Sequence, residues 1–257
     1  MAITIKSPEE IAVLREGGRR LAQILNAVVE VARPGVTTLE LDMQGERLMR
    51  DAGGLPSFKG YRIKDAAVPY PCSICVSVND EVVHAIPRRN RVLREGDVVG
   101  IDVGMWWGEL CTDMAVTIGV GKVSLEAERL IVATREALEM SIRTVRPGAH
   151  VGDIGAVIQR HLEKERLGII RDLAGHGVGY EVHEEPLIPN YGKAGSGPEL
   201  VEGMVIAIEP MATLGDWRVT LADDEWTFRT ADGSIAAHFE HTVAVTGEGA
   251  EVLTSEV

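Results

Sequence analysis

The chain carries an internal repeat, and this repeat restricts its fold more than any other feature of the sequence. Each half begins with a long apolar helical pattern, and the two patterns stop at Arg33-Pro34-Gly35 and at Arg146-Pro147-Gly148. A shorter helical pattern and then β-branched strand segments follow in both halves. We therefore predict a single catalytic domain over residues 1–257, made of two pseudo-symmetric halves of about residues 1–121 and 122–257.

The repeat places acidic residues at matching positions of its strands. Residues 95–102 read like residues 202–209: each segment is a turn followed by an apolar strand, and the strands end on Asp102 and Glu209. Asp113 and Glu240 open two further apolar segments, one in each half. We expect an α/β (α+β) domain in which a pseudo-twofold antiparallel sheet is covered by helices, because this arrangement brings the four carboxylates together.

A glycine-rich segment, residues 173–186 (LAGHGVGYEVHEEP), sets two histidines among small residues. Glycine lets the main chain approach a ligand or metal closely. The spacing of Gly175, Gly177 and Gly179 is not that of a dinucleotide-binding loop, since no clear strand precedes it and no acid is placed to hold a ribose. We interpret the segment as a site loop that presents the imidazoles of His176 and His183.

Four carboxylates in the interior of a sheet repel one another and are costly to bury unless a cation neutralises them. With one histidine they form a set of five oxygen and nitrogen ligands, enough for two divalent metal ions: Asp102, Asp113, His176, Glu209 and Glu240. The absence of thiolates favours Mn, Fe, Co or Zn over a structural zinc. We expect Asp113 and Glu240 to bridge the ions, Asp102 to bind one ion, and His176 and Glu209 to bind the other.

Composition excludes several classes of partner. A formal charge of −13 argues against a specific nucleic acid or an anionic membrane, since both require basic surface. Three cysteines are too few for a disulfide framework, and no apolar run approaches the ~18 residues of a membrane span. The first residues are not those of a signal peptide. We expect a monomer in the cytoplasm.

The motifs of the chain resemble those of the bacterial type I methionine aminopeptidases, which have the pita-bread fold. The motifs that carry this resemblance are residues 77–80 (SVND) with 84–87 (HAIP), 101–103 (IDV) with 112–113 (TD), 175–179 (GHGVG) with 183–186 (HEEP), 208–211 (IEPM), and 239–242 (FEHT). They span nearly the whole chain. The resemblance implies the same five metal ligands that the residues themselves indicate.

The resemblance also implies an activity and a substrate pocket. Water activated between two metal ions would remove the initiator methionine from nascent proteins that have a small second residue. His84 and His183 would contact the substrate and the developing charge, and Glu209 would move a proton. Tyr70, Cys75 and Trp226 match residues of the substrate pocket. The N-termini of nascent polypeptides are then the partners, with the ribosome as a transient one.

Other residues have simpler interpretations. Nothing in the spacing of four further histidines distinguishes them, so we assign them to structural or surface positions: His150, His161, His238 and His241. Cys72 and Cys75 have the spacing of half a zinc site or a redox pair, but no second pair accompanies them. Residues 59–70 and Val182 depart from the family pattern, which usually has a phenylalanine before the second histidine. These changes affect the shape of the pocket and so the preference for methionine.

Three alternatives remain at this stage. An Xaa-Pro aminopeptidase-like hydrolase shares the fold and the metal set but usually has an additional N-terminal domain. A metal-free creatinase-like hydrolase would lack the full set of ligands. A non-catalytic pita-bread binding module could act on RNA or a ribosome, but the acidic charge and the five predicted ligands argue against it.

Overall fold

The computed structural model describes residues 2–63 and 67–255, so Lys64, Asp65 and Ala66 of the divergent loop lie outside the described residues. Four helices are present in these residues: α1 (Pro8–Val31), α2 (Thr38–Asp51), α3 (Leu125–Ile142) and α4 (Val151–Lys164). The strands are β1 (Leu55–Pro56), β2 (Ile74–Val78), β3 (Glu81–Val83), β4 (Val98–Trp107), β5 (Leu110–Gly119), β6 (Gly168–Ile169), β7 (Ala174–Gly177), β8 (Glu184–Pro189), β9 (Val205–Ile208), β10 (Met211–Thr213), β11 (Val219–Leu221), β12 (Phe228–Thr230), β13 (Ala236–His238), β14 (Glu240–Thr246) and β15 (Gly249–Val252). The predicted mixed α/β class is confirmed.

Two reciprocal hydrogen bonds fix the start of the first helix. Ser7 accepts a hydrogen bond from the backbone N–H of Glu10, and the Glu10 carboxylate accepts one from the Ser7 N–H. These bonds satisfy donors that a helix otherwise leaves unpaired at its start. Thr37 and Glu40 form the same pair of bonds at the start of α2. Local sequence therefore determines where both helices of the first half begin.

The main sheet has nine strands and joins the two halves of the chain. Its order is β1-β4-β5-β14-β9-β7-β8, with β2 beside β4 and β15 beside β14, and every pair is antiparallel. Strands β5 and β14, from opposite halves, are direct neighbours at its centre. Helices α1 and α2 cover a hydrophobic core of the first half, and α3 and α4 cover a second one.

Equivalent hydrogen bonds recur in the two halves of the sequence repeat. Gly35 N–H donates to Leu93 O as Gly148 N–H donates to Leu200 O, at 2.9 and 3.0 Å. Gly96 N–H and Gly203 N–H donate to Val120 O and Val245 O, both at 2.9 Å. All four glycines have φ between 82° and 93°, a conformation that other residues rarely adopt. The Pro-Gly and Glu-Gly turns of the repeat thus fold alike. The division of the chain near residue 121 stays a prediction.

One strand is shorter than predicted. The apolar run over residues 82–86 suggests a strand throughout, but β3 ends at Val83. His84 has φ of 58°, in the left-handed region, which takes the chain out of the extended conformation. Within residues 2–63 and 67–255, no helix is both long enough and apolar enough to cross a membrane.

Candidate metal centre

The register of three strands places three carboxylates on one face of the sheet. Ala115 of β5 lies opposite Asp102 of β4 on one side and opposite Glu240 of β14 on the other. Opposed residues of antiparallel strands point to the same face, as do residues two positions apart on one strand. Asp113 therefore lies on this face as well. All three side chains are buried.

Strands β7 and β9 supply the remaining two predicted ligands. His176 lies on β7 opposite Ala207 of β9, and Glu209 follows the end of β9. Nε2 of His176 lies 3.7 Å from Oε1 of Glu209. Nδ1 of His176 lies 2.9 Å from Gly177 O. Because a carbonyl only accepts, Nδ1 carries the proton and Nε2 presents a lone pair to the carboxylates.

The glycines around His176 differ in role from the prediction. Residues 174–177 form a short strand rather than a loop. A Cβ on Gly175 would lie 2.3 Å from Ala207 O, and one on Gly177 would lie 2.4 Å from Glu185 O. Glycine is needed here because the backbones of β8 and β9 are so close, and the close approach is to protein and not to a ligand.

The buried acids have the features of a cation site. Three carboxylate oxygens have no hydrogen-bond partner among the residues that the structure describes: Oδ1 of Asp102, Oδ1 of Asp113 and Oε1 of Glu240. Burial raises the pKa of Asp102 to about 7. Burial and the neighbouring carboxylates raise the pKa of Asp113 and that of Glu240 well above the ordinary values. Unpaired buried carboxylates of this kind fit divalent cations.

Two sets of three potential ligands share one residue. Asp113, His176 and Glu240 form one set, and Glu209, His238 and Glu240 form the other; in each set the three ligand atoms lie within 4.8 Å of one another. Glu240 is common to both sets, and that it bridges two ions stays a prediction. Asp102 belongs to neither set, although its unpaired Oδ1 lies in the same buried cluster.

Of the two default positions assigned to His238, structural and surface, the structure excludes the surface, because this histidine is buried. It is 3% exposed, and its Nε2 lies 3.3 Å from Oε2 of Glu209 and 3.8 Å from Oε2 of Glu240. No repeat or motif spacing marks it in the sequence. The only available signal is its position two residues before a predicted ligand, on the same face of an extended chain.

Two more histidines face the same cavity. The imidazoles of His176 and His183 are in edge-to-face contact, with ring centroids 4.3 Å apart. His183 Nδ1 forms a 2.7 Å hydrogen bond with the hydroxyl of Tyr61, a residue that the sequence analysis does not single out as a site residue. His84 lines the cavity from the end of β3. Burial lowers the pKa of His84 to about 4 and that of His183 to about 3.

An apolar cavity of about 100 Å³ opens beside the carboxylates. The predicted pocket residues Tyr70, Cys75 and Trp226 all line it. The Tyr70 hydroxyl lies 3.2 Å from the carbonyl oxygen of Ile74 and 3.0 Å from that of Ala85, and its single proton, shared between these two acceptors, holds the wall of the cavity in place. Further lining residues are Phe58, Tyr61, Ile63 and Phe228. A pocket with one apolar side and one acidic side can hold an amine that carries an apolar side chain.

Two departures from the family pattern have different consequences. Tyr61 and Ile63 of the divergent loop line the cavity, so the loop shapes it directly. Val182 is buried in a hydrophobic cluster and is not among the described residues that line the cavity. Cys72 and Cys75 are free thiols, and burial raises the pKa of Cys72 to about 12, so this pair is poorly suited to hold zinc.

Comparison with known proteins gives a consistent result. Residues 12–247 match the model of metallopeptidase family M24. The chain is 42% identical to the methionine aminopeptidase of Clostridium acetobutylicum over 252 residues, which is 98% of either chain. The crystal structure of methionine aminopeptidase from Thermotoga maritima superimposes with a TM-score of 0.95 at 44% identity, covering 99% of this chain and 100% of that one.

More distant structures share the fold alone. The Xaa-Pro dipeptidase from Bacillus anthracis has a TM-score of 0.77 at 23% identity, and the match covers 97% of this chain but 61% of that one. The predicted pita-bread arrangement, a curved antiparallel sheet covered by helices, is confirmed by these superpositions. The Xaa-Pro alternative is not favoured, since both identity and coverage are far higher for methionine aminopeptidases.

Proposed function

Because this chain belongs to the methionine aminopeptidases of metallopeptidase family M24, we propose that it removes the N-terminal methionine of nascent polypeptides whose second residue is small. The observation that carries the proposal is the cluster of buried acids with unpaired oxygens at one side of an apolar cavity. In this proposal two divalent ions, Mn, Fe, Co or Zn, are held by Asp102, Asp113, His176, Glu209 and Glu240. The enzyme acts in the cytoplasm on chains that leave the ribosome.

Each residue then has a defined role. When bound, the ions supply acidified water and a Lewis acid for the peptide carbonyl. Glu209, at the edge of the cluster, accepts a proton from the attacking water and passes it to the leaving amine. His183 and His84 are half-buried, and desolvation lowers the pKa of each, so both imidazoles are neutral and donate N–H hydrogen bonds to the carbonyl oxygen as charge develops on it. The apolar wall of Tyr70, Cys75 and Trp226 holds the methionine side chain.

Tyr61→Phe tests how His183 is oriented. The hydroxyl of Tyr61 bonds to His183 Nδ1 at 2.7 Å and so leaves Nε2 to face the cavity. We expect the variant to lower kcat/KM by about three- to tenfold, since a typical hydrogen bond contributes roughly 0.5–1.5 kcal/mol. Tyr180→Phe is the matched control, because the Tyr180 hydroxyl bonds to Glu10 at the surface. Equal activity in both variants would remove Tyr61 from this role.

Release of free methionine from three peptides tests the function. The peptides are Met-Ala-Ser, Met-Leu-Ser and Leu-Ala-Ser, assayed with chelated protein and after Mn, Fe, Co or Zn is added back. We expect metal-dependent cleavage of Met-Ala-Ser with at least about tenfold preference over the others. Since even one methylene group in an apolar pocket changes binding by about 1–3 kcal/mol, or roughly 10- to 200-fold, the larger differences between these side chains support a preference of at least this size.

Other outcomes of the assay discriminate between the remaining proposals. Cleavage of all three peptides would keep the metal chemistry but show that the loop at residues 59–70 has broadened the pocket. If the protein released the first residue from an added Ala-Pro peptide but from none of the other three peptides, the Xaa-Pro hydrolase would be favoured. If no peptide were cleaved with any metal, the binding module would become the better proposal.

A further inference from the structure

His238 occupies a position that its backbone fixes firmly. It ends strand β13, opposite Met211 of β10. Its N–H donates to Oγ1 of Thr117 at 2.9 Å, and its carbonyl accepts from the same hydroxyl at 2.7 Å. Thr117 belongs to β5, the strand that also carries Asp113. The backbone of His238 is therefore attached to the strand at the centre of the acid cluster.

The side chain of His238 points into that cluster without a hydrogen bond. Nε2 is buried and has no hydrogen-bond partner among the described residues, although two carboxylate oxygens are near. The separation of 3.3 Å to Glu209 is that of atoms that share an ion, and the separation of 3.8 Å to Glu240 is slightly longer. Two donors each about 2.1 Å from one ion, at an angle of 90–110°, lie about 3.0–3.4 Å apart. The imidazole is placed as a ligand would be.

We propose that Nε2 of His238 is a sixth ligand of the metal centre and binds one ion together with Glu209 and Glu240. The proposal rests on the proposed function only in requiring that the centre hold divalent ions. It gives each ion one imidazole, with His176 in the set that contains Asp113 and His238 in the set that contains Glu209.

This ligand changes which ions the centre prefers. The five predicted ligands comprise four carboxylates and one imidazole, a set that suits hard ions such as Mn. A second imidazole adds no negative charge and favours Zn, Co or Fe over Mn. We expect the ion that His238 binds to be retained more strongly than the same ion would be without this imidazole.

Metal binding by His238→Gln tests the proposal without substrate. Glutamine keeps a polar side chain of similar length but removes the ring nitrogen. Calorimetric titration of chelated protein with Co or Zn should show two bound ions in the wild type. In the variant one of the two should bind at least about tenfold more weakly, as expected when the coordination of an ion is disturbed. The loss should be larger for Zn than for Mn.

X-ray absorption at the cobalt edge separates a ligand from a neighbour. In the wild type, scattering from imidazole rings should correspond to an average of one ring per cobalt ion. In His238→Gln the average should fall to half a ring per cobalt ion. His161→Gln is the matched control, since His161 lies on helix α4 beside Glu136 and should leave both readouts unchanged. An unchanged ring count with weaker binding would overturn the proposal and make His238 a hydrogen-bond donor to Glu209.

A second variant covers the case in which His238→Gln fails to fold. His238→Ala should regain affinity for the weaker ion when free imidazole is added, because the small side chain leaves space for the ring. Failure of imidazole to restore binding, in a variant with a native circular dichroism spectrum, would contradict ligation. The peptide assay is separate: metal binding that depends on His238 without peptidase activity would contradict the proposed function alone.

Discussion

Glu240→Ala is expected to lower kcat/KM for Met-Ala-Ser by about 10³-fold or more. Glu240 is common to both sets of potential ligands, so its loss disturbs two ions at once. Transition-state stabilisation by such ions amounts to several kcal/mol, and each 1.4 kcal/mol corresponds to about tenfold in rate. The rate of methionine release, measured after metal stripping and reloading, gives the effect directly.

The fold of this variant should survive. Removing one carboxylate from a buried cluster of acids relieves repulsion, so the metal-free variant should have a Tm equal to or above that of the metal-free wild type. Glu163→Ala, at an exposed position on α4, is the matched control and should keep full activity. Undiminished peptidase activity in reloaded Glu240→Ala protein would refute the metal centre proposed above.

Lys6→Met is expected to reduce the free energy of unfolding by about 3–5 kcal/mol. The ammonium of Lys6 lies 2.7 Å from Oε2 of Glu184, and the two side chains are 1% and 2% exposed. Removing Lys6 leaves the Glu184 carboxylate buried without its counter-ion, although other hydrogen bonds to it remain, and loss of one partner of a buried pair has an effect of this size. Burial opposes ionisation of Glu184, but hydrogen bonds from Lys6 and Thr4 hold its pKa below the ordinary value. Urea denaturation measures the loss.

Two further variants define the cause. Lys6→Met combined with Glu184→Gln should recover part of the lost stability, because the unpaired charge is then removed. Arg15 forms an ion pair with Glu251 in which the two side chains are 50% and 31% exposed. Because such exposed pairs contribute little, Arg15→Met should change the free energy of unfolding by no more than about 1 kcal/mol. If Lys6→Met were as mild as Arg15→Met, the buried pair would not stabilise the fold.

The sequence predicts much of the site because the site follows regular structure. Glu240 begins its strand as the repeat suggests, but Asp102 and Asp113 lie inside β4 and β5 and not at a strand end and a strand start. The pairing of β4, β5 and β14 then brings the three carboxylates together. That they bind metal stays a prediction. The starts of α1 and α2 are also determined locally, since Ser7 with Glu10 and Thr37 with Glu40 form capping boxes between residues three positions apart.

The features that the sequence does not reveal depend on contacts between distant segments. His238 is placed by a hydroxyl 121 residues earlier in the chain, on a three-residue strand with no periodicity to identify it. The bond between Tyr61 and His183 spans 122 residues and starts in the divergent loop. The end of β3 is set by the backbone conformation at His84, which apolar patterning cannot show. Such contacts require the tertiary structure.

The pairing of β5 with β14 also sets the order in which the molecule can be completed. Asp102 and Asp113 lie on neighbouring strands of one hairpin, a contact of short sequence separation that forms early. Glu240 reaches them only through β14, which follows β5 by more than a hundred residues. A chain still being synthesised therefore has half of the acid cluster and no shared ligand until its last strands emerge. In the proposed metal centre, the full set of ligands is therefore complete only late in the synthesis of each new molecule.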